Sequence, residues 1–170
     1  MRRDHFVRVR PSPGATSEDM SDFIRPYARQ KPDVLAIHVG TNDLTKKSNQ
    51  DPTLPQAQRP DINTVAEMEK VFSTVSQISP DTQIVYSLVT QRYDKPTMAA
   101  KVDELNAKMR TLCASKGIQV VEHANIDQEC ITKPPRKKNG KWTNKNGGVH
   151  PTKTGDTRLR DNFINFFGNL

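Results

Sequence analysis

Cysteine is scarce in this chain. Cys113 and Cys130 are the only two in 170 residues, too few for a disulfide framework and in no metal-ligand spacing. No apolar run approaches the ~20 residues that a membrane span needs. The basic N-terminus MRRDHFVRVR has no apolar stretch behind it, so it does not read as a secretory leader. These absences set the expectation of an intracellular, cytoplasmic protein in a reducing compartment. Neither G-x-x-x-x-G-K-[ST] nor G-x-G-x-x-G occurs, which argues against a nucleotide-binding protein. There is no internal repeat and no linker, so residues 1–170 are expected to form a single domain. Acidic residues are outnumbered, 19 Asp and Glu against 26 Lys and Arg, for a net charge of +7. That excess favours anionic partners, nucleic acid or lipid headgroups among them, without choosing between them.

What is present is an alternation of strand and helix patterns. His5–Arg10 alternates apolar and basic residues like a half-exposed strand and stops at Pro11 and Pro13. Thr16 or Ser17 can cap a following helix, with Glu18 and Asp19 near its positive end and Phe23, Ile24 and Tyr27 as its apolar face. Pro26 is expected to kink or shorten that helix. Val34–Val39 reads as a strand buried on both faces, with His38 inside the core. A long polar loop, Thr45–Arg59, follows, of the kind that is usually functional or mobile. Pro60 suits the first position of the next helix, with Asn63 as another possible cap, and Val65, Met68, Val71, Phe72 and Val75 recur at helical spacing.

Gln83–Val89 reads as the next strand. Pro96–Lys116 is a helix with Met98, Val102, Leu105, Met109 and Leu112 inward, ended by Gly117 in a left-handed C-cap. Ile118–Val121 is a fourth strand, and Glu122–Asn146 is irregular and basic. A last helix opens at Thr152 or Thr154 and carries Leu159, Phe163, Ile164 and Phe167. The pattern predicts an α/β fold, a parallel sheet between helical layers.

The apolar strand ends abruptly at Gly40-Thr41-Asn42-Asp43, a polar cluster at a strand's carboxyl end, where open α/β sheets put their chemistry. Upstream stands Pro13-Gly14-Ala15-Thr16, and downstream Gly148-Val149-His150-Pro151 before the last helix. These three blocks, in this order, resemble those of the SGNH hydrolases, also called GDSL esterases and lipases. P-G-A-T-S and H-P-T-K-T-G most resemble the esterase-like domains of non-LTR retrotransposons. The resemblance covers nearly the whole chain. It implies a three-layer α/β/α, flavodoxin-like fold with five parallel strands in the order 2-1-3-4-5. It also implies hydrolysis of a small carboxylic ester through an acyl-serine, with no metal or organic cofactor.

On this resemblance, Asn42 and Gly14 correspond to the oxyanion donors and His150 to the base. Each residue suits its role: an amide N–H and an uncluttered backbone N–H can meet an oxyanion, and imidazole exchanges protons near neutral pH. Two departures stand out. The family's nucleophilic serine lies in a G-D-S block on a strand that would precede His5–Arg10, and only four residues stand there. Neither Ser12 nor Ser17 matches its position. The expectation is therefore an N-terminally truncated domain, either a fragment of an active hydrolase or a remnant without hydrolytic chemistry. In the family the triad acid lies three residues before the His, and here that position is Gly147. A dyad can still operate, because the acid mainly orients and stabilises the imidazole.

The second chemical feature is the basic stretch 133–145, which holds Lys133, Arg136, Lys137, Lys138, Lys141 and Lys145 around Trp142. Cations for phosphates and one ring for a base suit single-stranded nucleic acid. Lys137, Lys138, Lys141 and Trp142 are the candidate contacts. The rival to an ester hydrolase is thus a non-catalytic module that binds nucleic acid through this loop.

Overall fold

The computed structural model describes residues 7–131, 136–138, 141–143 and 150–168. In chain order it contains α1 (Ser17–Ala28), β1 (Val34–His38), a short 3-10 turn (Gln56–Gln58), α2 (Thr64–Ile78), β2 (Gln83–Ser87), α3 (Met98–Ser115) and β3 (Gln119–Val121). These are followed by α4 (Gln128–Ile131), β4 (Arg136–Lys138), β5 (Lys141–Thr143) and α5 (Lys153–Gly168). β1, β2 and β3 form a parallel sheet in that order, with Ala36 opposite Val85 and Val85 opposite Gln119. This is the α/β architecture that the strand–helix alternation predicts.

One face of the sheet carries the main core. Ile37 and Val39 with Ile84, Tyr86 and Leu88 meet Ile24 and Ala28 of α1, Met68, Val71, Phe72 and Val75 of α2, and Val102, Leu105, Met109 and Cys113 of α3. Each buried side chain of this size contributes about 1.5–3 kcal/mol. The helix periodicities therefore held, because one wide apolar stripe per helix had a sheet face to meet. α1 begins with a capping box, in which the N–H and hydroxyl of Thr16 both donate to the Asp19 carboxylate at 2.7 and 2.8 Å. It keeps Pro26 within its last turn. Phe23, expected to face inward, is exposed. α2 starts later than Pro60 suggested. Asn63 caps it by accepting from the Ala66 N–H, and the Pro60 carbonyl instead accepts from the Ser48 N–H. Gly117 takes the expected left-handed conformation, φ +66°, just past α3.

The opposite face is covered unequally, and here three expectations need correction. Val7–Arg10 is not a strand: Val7 and Val9 are 75 % and 76 % exposed, and the segment has no strand neighbour among the described residues. Alternation permits a strand but does not supply a partner to pair with. β1 is not buried on both faces, since Ala36 and His38 are exposed. His38 accordingly is not a core residue. The reason is parity: residues 34, 36 and 38 point away from the α1–α3 layer, and α5 covers the β2–β3 side of that face. Ile164, one of the apolar residues α5 carries, is 58 % exposed.

A polar chain ties α5 to this face. The amides of Asn125 and Asn162 pair reciprocally at 2.7 and 2.9 Å, and the Asn162 Nδ2 also donates to His123 Nδ1 at 3.0 Å. With Nδ1 accepting, His123 carries its proton on Nε2 and donates to the Ser87 hydroxyl at 2.7 Å. That hydroxyl also bonds to His38 Nδ1 at 2.8 Å. Phe163 packs beside the His123 ring at a centroid separation of 5.7 Å. Burial pushes the His123 imidazole down to about 4, helped by the neighbouring His38 and opposed by Glu122.

The start of α5 sits against α4. The Thr152 N–H donates to the Cys130 carbonyl at 2.6 Å, and the Thr152 hydroxyl accepts from the Gly155 N–H at 3.3 Å. Gly155 lies so close that a Cβ there would overlap the Cys130 carbonyl oxygen and come within 2.9 Å of the Pro151 Cβ.

The basic stretch is not wholly irregular. β4 and β5 pair antiparallel, which sets Lys137 opposite Trp142 and Lys138 opposite Lys141, and α4 precedes them. Lys133, Lys145 and Gly147 lie outside the described residues.

The long loop after β1 is braced within itself. Lys47 bridges to Asp61 at 2.9 Å, and the Arg59 guanidinium donates to Leu54 and Pro52 carbonyls and to the Asn49 side chain. Glu18 of α1 accepts from the Ser48 hydroxyl and from the Asn49 N–H.

Two expected outcomes follow from this packing. Gly155→Ala should destabilise the protein by roughly 1–3 kcal/mol or more, as overpacking against fixed backbone does, and a thermal melt reads it. The second concerns acid. His123 binds a proton more weakly folded than unfolded, so its stabilising contribution is whole above pH 6.5 and is lost as pH falls towards about 4. At ~1.4 kcal/mol per pH unit over about 2.5 units, the loss is on the order of 3 kcal/mol. His123→Gln should flatten the stability–pH curve in that window, measured by urea unfolding at a series of pH values.

Candidate functional site

The carboxyl ends of β1 and β2 are held by buried polar side chains. Beyond β1, the Val39 carbonyl accepts from the Tyr86 hydroxyl at 2.7 Å, and burial holds that phenol un-ionised by raising its pKa. Beyond β2, the Asn106 side-chain amide of α3 bonds both the N–H and the carbonyl of Val89, at 3.0 and 2.8 Å. Gly40 then turns the chain at φ +123°, a conformation that excludes L side chains, with Val89, Leu105 and the Tyr86 hydroxyl all within 3.4 Å of where a Cβ would stand.

The turn itself is anchored by Asp43, which is 4 % exposed. Its carboxylate accepts from the Ser17 N–H at 3.2 Å, from the Ser17 hydroxyl, and from the Thr64 hydroxyl at 3.0 Å. One side chain thereby joins the turn to the first residues of α1 and α2. Asn42, half-buried, donates from Nδ2 to the Ala15 carbonyl at 2.8 Å. Lys46 donates to the Gly14 carbonyl. Gly14 has φ +77°, so the loop that precedes α1 folds back onto the loop that follows β1. An amide nitrogen carries two N–H donors, and only one of those of Asn42 is spent on Ala15.

Asn42 and Gly14 are thus brought together by the fold. His150 lies in a bend immediately before α5 and is exposed, and it is tethered to α4 through Thr152. Among the described residues no hydrogen bond joins His150 to Asn42 or to the Gly14 loop. The backbones of Lys137, Lys138, Lys141 and Trp142 lie on the β4–β5 hairpin.

Three features were missed by reading the sequence. Asp43 looked like a turn former, whereas it is a buried hub. Arg92 is 4 % exposed, with Nε and Nη2 on the Asp94 carboxylate at 2.9 and 2.7 Å and Nη1 on the Thr41 carbonyl at 2.7 Å. Ser87 stands between two histidines at the sheet's carboxyl edge, the arrangement a nucleophile would need, but it is fully buried and so faces no ester. Asp43 leaves no local signal, because its partners are 21 or more residues away, and Arg92 has Asp94 two residues on but reaches Thr41 across 51.

No three His, Cys, Asp or Glu side chains are grouped to hold a metal among the described residues, and none of the described helices is long and apolar enough to cross a membrane. Burial pushes the Cys113 thiol up to about 11, so it is not a reactive thiolate. A cavity of about 250 Å³ lined by Lys31, Asp33, Ile78 and Thr82 lies at the amino ends of β1 and β2, away from these residues.

No curated protein matches the sequence. Solved structures do match the fold. A possible lipase from Chitinophaga pinensis superposes with a TM-score of 0.63 at 19 % identity, covering 92 % of this chain and 80 % of its own. An acetylxylan esterase from Geobacillus stearothermophilus gives 0.63 at 16 %, covering 89 % and 67 %. A GDSL-like lipase from Bacteroides thetaiotaomicron gives 0.62 at 17 %, covering 92 % and 72 %. At these identities the likeness speaks for the fold. Residues 2–158, nearly the whole length, match the profile of one family, and the chain therefore belongs to the GDSL-like lipase/acylhydrolase family.

Proposed function

We propose that this domain is built for hydrolysis of small carboxylic esters, with Gly14 and Asn42 as oxyanion donors and His150 as general base. The observation that carries this is the bond from Asn42 Nδ2 to the Ala15 carbonyl at 2.8 Å. It fastens the Asn42 turn to the Gly14 loop, so two N–H donors from separate loops serve one edge of the sheet. The chemistry would be acyl transfer: attack on the ester carbonyl, charge developing on its oxygen, and that charge met by donors already in place. We further propose that residues 1–170 do not turn over an ester by themselves, since no G-D-S block occurs in them and their buried Ser87 is shielded. The closeness to retrotransposon esterase-like domains remains part of this reading and rests on the P-G-A-T-S and H-P-T-K-T-G blocks.

The test is hydrolysis of p-nitrophenyl acetate by the 170-residue chain against a His150→Ala control. The expected result is no His150-dependent turnover. Fusing a strand that ends in Gly-Asp-Ser ahead of Met1 should create it, and Asn42→Ala in that fusion should cut kcat about 10²–10³-fold, the usual effect of losing an oxyanion donor. His150-dependent turnover by the unfused chain, with a trappable acyl-serine, would mean that another serine serves as nucleophile.

A second reading is favoured by the hairpin register, which sets Lys137 opposite Trp142 and Lys138 opposite Lys141. It is single-stranded nucleic-acid binding along β4 and β5. Affinity should then fall with salt at a log–log slope of about −0.7 per phosphate contact. Replacing Lys137, Lys138 and Lys141 with Ala should flatten the slope, whereas Trp142→Ala should weaken binding at every salt concentration. Salt-insensitive binding, or none at low salt, leaves the hairpin a solvated surface.

A further inference from the structure

We propose that Arg92 is a positioning residue for the oxyanion turn: clamped by Asp94, it holds the Thr41 carbonyl and thereby sets the direction in which Asn42 presents its donors. This deepens the ester-hydrolase reading and rests on it.

The geometry begins with a guanidinium that is almost completely buried, at 4 % exposure. A buried cation needs its donors met, and the pairing here is a two-pronged one. Nε meets one Asp94 oxygen at 2.9 Å and Nη2 the other at 2.7 Å. Such a fork fixes the plane of the guanidinium as well as its position. Hydrogen bonding from Arg92, with its charge adding, in turn holds the Asp94 carboxyl below its ordinary range. With the plane fixed, the remaining nitrogen has one direction available, and Nη1 donates along it to the Thr41 carbonyl at 2.7 Å.

The carbonyl that is held matters more than the length of the bond. Thr41 directly precedes Asn42, and the peptide between them is trans. In a planar trans peptide the C=O of one residue and the N–H of the next point in opposite directions. Holding the Thr41 oxygen towards Arg92 therefore aims the Asn42 N–H to the other side and fixes the plane from which the Asn42 side chain departs. That side chain then reaches the Ala15 carbonyl at 2.8 Å, next to Gly14. The chain of contacts runs from Asp94 through Arg92 and Thr41 to Asn42 and the Gly14 loop. An ion pair serving stability alone would need the fork but not the third bond. A bond to Thr41 places the cation against the backbone of the same turn that the Asp43 carboxylate ties to α1 and α2.

The experiment compares wild type with Arg92→Met and Arg92→Lys by assigned 1H–15N spectra, amide hydrogen exchange and a thermal melt. The reporters are the Asn42 side-chain amide, the Gly14 N–H, and the Lys46 N–H that donates to the Asn42 carbonyl at 2.9 Å. The Gly117 N–H serves as a remote control. Arg92→Met should move the Asn42 and Gly14 signals and speed exchange at Lys46 by about tenfold or more, as loss of a charge-assisted bond implies, with Gly117 unmoved. Arg92→Lys keeps a cation but loses the fork, and should move the same signals in the same direction. A folded Arg92→Met protein with unmoved reporters overturns the proposal, as does a folded Arg92→Lys protein whose reporters stay at wild type. Should Arg92→Met not fold, Asp94→Asn frees the guanidinium plane and should move the same signals in the same direction. Unmoved signals there also overturn it. None of these readouts needs turnover, so a Gly-Asp-Ser fusion without His150-dependent turnover would overturn the proposed function and leave this test standing.

Discussion

The architecture around the candidate site depends on one buried carboxylate. Asp43 takes hydrogen bonds from the backbone N–H and hydroxyl of Ser17 and from the hydroxyl of Thr64. Both residues open helices, so Asp43 stands where the positive ends of α1 and α2 approach each other. It satisfies donors that a helix start leaves open, and it does so for a helix 26 residues upstream. Losing it would leave a buried N–H and two hydroxyls without partners, each a cost of about 1–3 kcal/mol. Both proposed oxyanion donors are next to it in sequence or contact. Asn42 is its neighbour, the Gly14 loop leads directly into Ser17, and the turn it holds is the one whose Thr41 carbonyl Arg92 grips.

Much of the fold was legible in the sequence. α2 and α3 appear within a few residues of where their apolar spacing put them, because each stripe meets a continuous sheet face. Gly117 was recognisable as a C-cap for a local reason, the left-handed backbone there. The failures were failures of partnership. Val7–Arg10 alternates correctly but pairs with no described strand, and His38 sits on a strand face whose cover cannot be read from β1 itself. The β4–β5 hairpin had a local signal after all: Asn139-Gly140, the pair that tight hairpin turns prefer, stands between its strands. The density of charge around it hid that signal.

The candidate site was legible in part. Short blocks singled out Gly14 and Asn42, and their loops do touch. His150 was singled out by the block ahead of α5, whose Gly155 allows that helix to seat against the Cys130 carbonyl. What could not be read were the long-range polar contacts. Arg92 with Thr41 and Ser87 with His38 and His123 join residues that are each unremarkable in their own stretch, and only the parallel register brings them together.

The loop after β1 has a consequence for how the molecule meets a protease. It displays two adjacent lysines, Lys46 and Lys47, in a stretch without regular strands or long helices, which would ordinarily make it the first place trypsin cuts. Lys47 is bridged to Asp61, Ser48 is bonded to Pro60 and to Glu18, and Lys46 is bonded to Gly14. A protease binds an extended, released segment, and here release means breaking contacts to α1, to the Gly14 loop and across the loop at once. Cleavage at this point would therefore report the opening of the Gly14–Asn42 neighbourhood itself, which makes a single nick a measure of how tightly that corner of the domain is closed.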